Sequence, residues 1–200
     1  MMAGGKVRVI AGIAKGRRLK DVPGTGTRPV TDRVKEAVFD ILGPELEGKR
    51  FLDLFAGTGG VGIEALSRGA REAWFVEKEP RALATIRDNL TSTGLGDAGR
   101  VVRSDVFHFL RNTREQFDII YVAPPQYQGL WKRTLLLLDE EQSPATGLVI
   151  VQIHPKEFEG LALRHLVLTD ERTYGSTLVA FYRRSQADES GPVTLDAGRQ

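Results

Sequence analysis

Between Arg50 and Ile153 the chain alternates short, almost wholly apolar runs with longer stretches in which apolar residues recur every three or four positions. The runs are FLDLF, AWFVE, RVVRS, FDIIYV and GLVIVQI, and each is predicted to be a buried strand. The stretch GIEALSR has helical spacing and ends at Gly69. Glu79-Pro80 opens the next helix, with proline at its tolerated first position and Leu83, Ile86 and Leu90 on the inward face. Two more helices are predicted near Val106 to Asn112 and Gly129 to Leu138. Such alternation implies an α/β fold, a mostly parallel sheet with helices on both faces. After Ile153 the rhythm changes. ALRHLVLTDE and STLVAFYRR follow one another with no helix between, which predicts an antiparallel hairpin. Ser185 to Gln200 is polar, contains glycine and proline, and is expected to be disordered.

The first 45 residues read differently. VRVIAG and GRRLK are predicted to pair as two strands around a turn near Lys15-Gly16, and DVPGTGTRP cannot be helical. Thr31 then caps an amphipathic helix whose inward face is Val34, Ala37, Val38 and Ile41, and Gly43-Pro44 stops it. The expected organisation is an extension over 1–45, a Rossmann-like α/β domain with a seven-stranded sheet over 46–184, and a tail over 185–200.

Charge sharpens this division. Residues 1 to 35 hold nine basic and two acidic side chains, a balance of +7, so the other 165 residues carry −5 against a total of +2. A basic arm on a mildly acidic body is what a phosphate-contacting element looks like, with Lys15, Arg17, Arg18, Arg28 and Arg33 as candidate contacts. The plainer reading is a solvated basic surface without a partner. No stretch approaches the ~20 apolar residues of a membrane span, and Met1 to Gly12 lacks the apolar core of a signal peptide. A cytoplasmic protein is expected. The absence of cysteine excludes a disulfide framework, a zinc ribbon, an iron–sulfur cluster and a thiol nucleophile. His108, His154 and His165 are scattered, and no metal is expected.

The candidate chemistry lies at the carboxyl ends of the strands. Gly57, Gly59 and Gly62 have GxGxxG spacing directly after a strand, and Glu77 ends the next strand 20 residues after Gly57, where a carboxylate would accept from ribose hydroxyls. The GK[ST] of a P-loop is missing, which argues against a cradle for ATP. Spacing alone leaves NAD possible. Asp53 precedes the glycines; a buried carboxylate would repel a pyrophosphate but suit a ligand with an ammonium and a sulfonium. Its other reading is a cap on the glycine-loop amides. Asp105 follows the third strand and could reach an adenine amino group with Val106 packed on the ring, or cap a helix, or both. Pro124-Pro125 sits straight after the fourth strand, with Tyr127 and Trp131 near enough to stack on a base or simply to fill the core.

Taken together, VRVIAGIAKGRRLK, TRPVTDRVKEAVFDIL, DLFAGTGGVGIEALSRGA, FVEKEPRA and the proline pair resemble the bacterial 16S rRNA guanine-N2 methyltransferase family RsmD, over most of residues 7 to 135. TRPVTDRVKEAVF is the most family-specific segment. The resemblance implies S-adenosylmethionine (SAM) as cofactor, with contacts at Asp53, Phe55, Ala56, Gly57, Thr58, Gly59, Glu77, Lys78, Asp105 and Val106. It implies a partner in 16S rRNA, free or within an assembling small ribosomal subunit. It also implies that the N-terminal unit meets RNA or closes over the methionine end. The catalytic segment would be Ala123, Pro124, Pro125, Gln126 and Tyr127. Here the chain departs from the pattern, which has Asp or Asn, two prolines, then an aromatic. The missing acid or amide would accept a hydrogen bond from the exocyclic amine; the Pro124 carbonyl or Gln126 Oε1 are possible substitutes, and Tyr127 would stack one position late.

The expected reaction is methylation of a guanine N2 amine. With no cysteine, covalent attack on a pyrimidine ring is excluded. The alternatives are another substrate (DNA adenine or a small molecule), a SAM-binding, RNA-docking assembly factor without turnover, and, last, a nicotinamide oxidoreductase.

Overall fold

A run such as FLDLF is stable only where both faces of its strand are covered, because it offers no polar side to water. The computed structural model, which describes residues 7–24 and 31–185, places it at the centre of a sheet. The elements are α1 (Asp32–Leu42), β1 (Arg50–Leu54), α2 (Gly60–Ser67), β2 (Glu72–Glu77), α3 (Pro80–Thr93), β3 (Gly99–Arg103), α4 (Val106–Asn112), β4 (Phe117–Val122), α5 (Leu130–Leu138), β5 (Ala145–Ile153), β6 (Leu166–Tyr174) and β7 (Thr177–Arg184). Seven strands form one sheet in the order β3-β2-β1-β4-β5-β7-β6. The first five are parallel, and β7 runs antiparallel to both β5 and β6. This is the expected Rossmann-like sheet with its closing hairpin. The chain crosses over between β1 and β4, and in such sheets ligands bind outside the carboxyl ends of the strands at that point.

Two apolar clusters cover the sheet. One packs α1, α2 and α3 against residues such as Phe51, Phe75 and Tyr121; the other packs α4 and α5 against Leu52, Val76 and Ile120. Helix ends follow local chemistry: Thr31 Oγ1 accepts from the Val34 amide, and Gly94, at φ 72°, closes α3.

Two expectations for the N-terminal region need correction. Residues 7–22 do not form two strands; they share a single antiparallel bridge between Arg8 and Arg18. The Val9, Gly16 and Leu19 amides bond across the turn to the Arg17, Val9 and Val7 carbonyls, and the residues between are held by α2. Glu64, with no exposed surface, accepts the Ile10 amide through Oε2 at 2.8 Å and the Ala11 amide through Oε1 at 3.0 Å. Ser67 accepts the Ala14 amide and donates its hydroxyl to the Ala11 carbonyl. Gly12, at φ +80°, lies so close to the Ser67 carbonyl that a Cβ would stand 1.7 Å from its oxygen.

The inward face of α1 is Val34, Lys35, Val38, Phe39 and Leu42, whereas Ala37 is half-buried and Ile41 is exposed. The apolar stripe misplaces this face because one inward residue is a lysine. The Lys35 ammonium is buried 3.2 Å from Glu64 Oε2 and donates to the Arg8 carbonyl. Burial pulls its pKa below the usual lysine value, and the Glu64 carboxylate opposes that shift. Gly43-Pro44 ends α1 as expected, with Gly43 as its C-cap, and a 3₁₀ turn over Gly43–Leu46 follows and buries Leu46. Val7, Val9 and Leu19 share the first cluster with Phe51 and Ile63, as do Val34, Val38 and Phe39 of α1, so the arm and α1 pack as part of one core with the sheet. Arg28 and residues 186–200 of the expected tail lie outside the described residues, while the Ser185 amide bonds to the His165 carbonyl at 2.7 Å.

Glu64 therefore holds a buried lysine and two amides together. Truncating it in Glu64→Ala strands all three and should cost about 3–5 kcal/mol, read as a lower urea midpoint. Arg8→Ala, which breaks an exposed pair with Asp32, should cost less than about 1 kcal/mol.

Candidate functional site

The strand-to-helix turn after β1 is built from strained and glycine backbone. Phe55 adopts φ +61°, rare for a bulky residue, with its ring edge-on to Phe107 at 6.5 Å. Gly57 and Gly59 follow at φ +55° and +75°. Gly62 serves a different end: a Cβ there would stand 2.4 Å from the Phe75 ring, so the glycine lets α2 lie down on β2. Glu77, at the end of β2, reaches back to the turn. Its Oε2 accepts the Gly57 amide at 3.0 Å, and Oε1 accepts the Lys78 and Glu79 amides. Oε2 keeps a lone pair free for a further donor, which is the position a ribose hydroxyl would take.

Asp53 is buried beneath this turn, its Oδ2 accepting the Gly62 amide at 3.0 Å. The capping reading is therefore present in the structure. No cationic side chain pairs with Asp53 among the described residues. Burial pushes its carboxyl up to about 8, the Gly62 amide pulls it down, and the negative charge of Glu77 adds to the rise. A carboxylate held this way gains most from a cation supplied by a ligand.

Asp105 caps α4, its Oδ1 accepting the Phe107 and His108 amides. It is exposed, and the described contacts leave Oδ2 open. Val106 is buried in the second cluster, and Lys78 is exposed at the rim. Ala56 is buried, and Thr58 is half-buried.

Beyond β4, Ala123 packs against the first cluster, Pro124 is buried, and Pro125 and Gln126 are exposed. Tyr127 stands at φ +60° and is 65% exposed. Its amide donates to Glu157 Oε2 at 2.7 Å, and its ring lies 5.5 Å from that of His154. Trp131 is not available for stacking on a ligand: it is buried and stacks on Phe158 at 6.1 Å. Helical spacing from Leu130 carries it inward with Leu135 and Leu138. Of the basic candidates, Lys15, Arg17, Arg18 and Arg33 are exposed and make no salt bridge among the described residues.

A family model described as Conserved hypothetical protein 95 matches residues 7–183. The Bacillus subtilis protein named "Putative rRNA methyltransferase YlbH" is 42% identical over 182 residues, covering 89% of this chain and 99% of that protein. Ribosomal RNA small subunit methyltransferase D of Escherichia coli K12 is 38% identical over 136 residues, 68% of each chain. The chain belongs to the RsmD family. The solved structure of yhhF from Escherichia coli covers 90% of this chain and 98% of its own at 34% identity, with a TM-score of 0.78.

The residues present fit the SAM expected of an RsmD-family methyltransferase. Asp53 is a buried acid without a cation, and Glu77 offers an open lone pair beside glycine backbone. Sequence reasoning missed five contributors. Asn89, fully buried on α3, ties the Thr58 carbonyl of the turn (2.9 Å) to both the amide and the carbonyl of Lys20. Lys35 with Glu64, and Glu157 with His154, fix the arm and the proline turn. A polar residue at an inward helix position was the available signal for Lys35 and Asn89. Glu157 carried none, since its partner is 30 residues away in sequence.

Glu77→Ala should weaken SAM binding by at least roughly tenfold in calorimetry, the loss of a charge-assisted hydrogen bond, while the chain stays folded. Asp53 predicts a pH dependence. Its folded pKa of about 8 lies above its ordinary value of 3.8, so the folded protein keeps a proton that the unfolded chain releases. Without ligand, stability should fall as pH rises through that window, and Asp53→Asn should flatten the slope of Tm against pH.

Proposed function

We propose that this chain transfers a methyl group from SAM to the exocyclic N2 amine of a guanine in 16S rRNA. The observation that carries the reading is the meeting of two features on neighbouring strands. The acid-lined glycine turn leaves β1, the Pro124-Pro125 turn leaves β4, and both open at the crossover edge of the sheet. SAM, when bound, supplies an electrophilic methyl carbon: its bond to sulfur breaks as the new bond to nitrogen forms, leaving a neutral thioether while the amine sheds one proton. What the protein does is hold and exclude. Glu77 and the turn amides anchor the nucleoside, Asp53 favours the cationic end, and Phe55 and Phe107 wall the site. Pro124 and Pro125 stiffen the acceptor side, where alignment of the reacting atoms is the main source of rate. Tyr127 offers its exposed ring to an unstacked base.

The RNA partner is supported by Lys15, Arg17, Arg18 and Arg33 at the surface, and by the family's small-subunit rRNA methyltransferases. We place the substrate within an assembling small subunit, and hence the protein in the cytoplasm; no described helix is long and apolar enough to cross a membrane. Ala123 favours one other reading, an assembly factor that binds SAM and rRNA without turnover.

Labelled SAM and unmodified small-subunit particles test both. One N2-methylguanosine per particle, identified by nucleoside mass spectrometry, is the expected product. Tight SAM binding without any transfer would establish the assembly-factor reading instead.

A further inference from the structure

Ala123, at the head of the proline turn, carries no polar side chain, and β5 runs beside it. Strands β4 and β5 are parallel, with Tyr121 opposite Ile150 and Val122 opposite Val151. One step further along the same register sets Ala123 beside Gln152. Partners in a parallel sheet share a face, and this is the face of the first cluster, to which Tyr121 and Ile150 belong and against which Ala123 packs. The methyl of Ala123 is small. Gln152 extends a carboxamide from the neighbouring position.

That carboxamide is anchored at one end. Tyr121, buried with Asp53 as its register partner on β1, donates its hydroxyl to Gln152 Oε1. Burial, reinforced by the nearby Asp53 charge, raises the Tyr121 pKa, so the phenol stays protonated and remains a donor. Gln152 is half-buried. The second lone pair of Oε1 and both Nε2 hydrogens have no partner among the described residues, and Nε2 is not among the buried polar atoms lacking one. A polar group held on one side and open on the other is a recognition element.

We propose that Gln152 positions the substrate amine, supplying from β5 the acceptor that Ala123 cannot supply from β4. The assignment rests on the guanine-N2 reading above. Guanine presents an N2–H donor beside the N3 acceptor on one edge, and a carboxamide matches that pair: Oε1 accepts N2–H while Nε2 donates to N3. Accepting N2–H fixes the plane of the amine and aims its lone pair at the methyl donor. Gln152 has no basic site, so the proton that nitrogen sheds passes to water. Gln126, exposed in the turn after Pro125, is the competing candidate.

The experiment moves the amide from one strand to the other in the full-length protein. Methyl transfer to unmodified small-subunit particles is followed for the wild type, Gln152→Ala, Gln126→Ala, and Gln152→Ala combined with Ala123→Asn. Gln152→Ala should lower kcat by roughly ten- to a hundred-fold, the loss of one hydrogen bond to the amine, with KM for particles and SAM affinity little changed. Adding Ala123→Asn should restore kcat to within several-fold of the wild type. That rescue separates a substrate contact from a packing role, because Asn at position 123 does nothing for the Tyr121 hydroxyl. As a guard against misfolding, Gln152→Glu keeps an acceptor for Tyr121 but loses both amide hydrogens, and should also slow transfer at unchanged Tm. A wild-type rate in Gln152→Ala overturns the assignment, and so does a loss that Ala123→Asn leaves unrescued. A large loss in Gln126→Ala alone gives the role to the turn. A wild type that transfers nothing overturns the reaction on which the assignment rests, and is told apart from the other failures by that first arm.

Discussion

A carboxylate with no water around it must be fully partnered or it destabilises the fold by several kcal/mol. Glu64 meets that requirement with two backbone amides of the arm, the Lys35 ammonium of α1 and the Arg68 guanidinium one turn along its own helix. Each partner comes from a different piece of chain, so one buried charge determines where three pieces sit. Because α2 begins at the glycine turn, the same anchor sets the arm against the donor site. Asn89 adds a second tie, from Thr58 in the turn to Lys20 in the arm. The basic surface and the donor pocket are thus two faces of one rigid assembly.

The acceptor side is held by different means. Tyr127 and Phe55 both occupy left-handed backbone, and each is retained by a specific neighbour: the Glu157 carboxylate for one, the Phe107 ring for the other. Such strain persists only where the surroundings over-determine it. Its placement on the two turns that flank the crossover suits a site whose rate depends on alignment. Asp53, Tyr121 and Gln152 form a polar line beneath those turns, running across β1, β4 and β5 from the donor end to the acceptor end.

The sheet, its helices and its closing hairpin were legible because each strand is a continuous apolar run and each helix has a capped, periodic stripe. The glycine turn and Glu77 were legible because their chemistry is local and regularly spaced. The arm was not. VRVIAG and GRRLK do bond to each other, but only one bridge forms between them, and Ile10, Ala11 and Ala14 are held by Glu64 and Ser67, more than 50 residues away, which nothing local reports. The face of α1 was misplaced because Lys35 behaves as a core residue only when Glu64 is beside it. Trp131, close to the prolines, reads equally as a ligand-stacking residue or as core, and its helical phase decides for the core. Gln152 is one polar residue in an apolar strand, and its meaning depends on a register that only the folded sheet supplies.

The burial of Glu64 has a consequence for how the arm responds to salt. Mobile ions weaken attraction between exposed charges over about 10 Å at 0.1 M salt, but they do not reach a pair sealed from solvent. Lys15, Arg17 and Arg18 face solvent, whereas Glu64 and Lys35 do not. Rising ionic strength therefore screens the exposed charges of the arm without loosening the arm itself. Attraction at the exposed arm and the seating of the arm against the glycine turn therefore respond to the surrounding electrolyte independently.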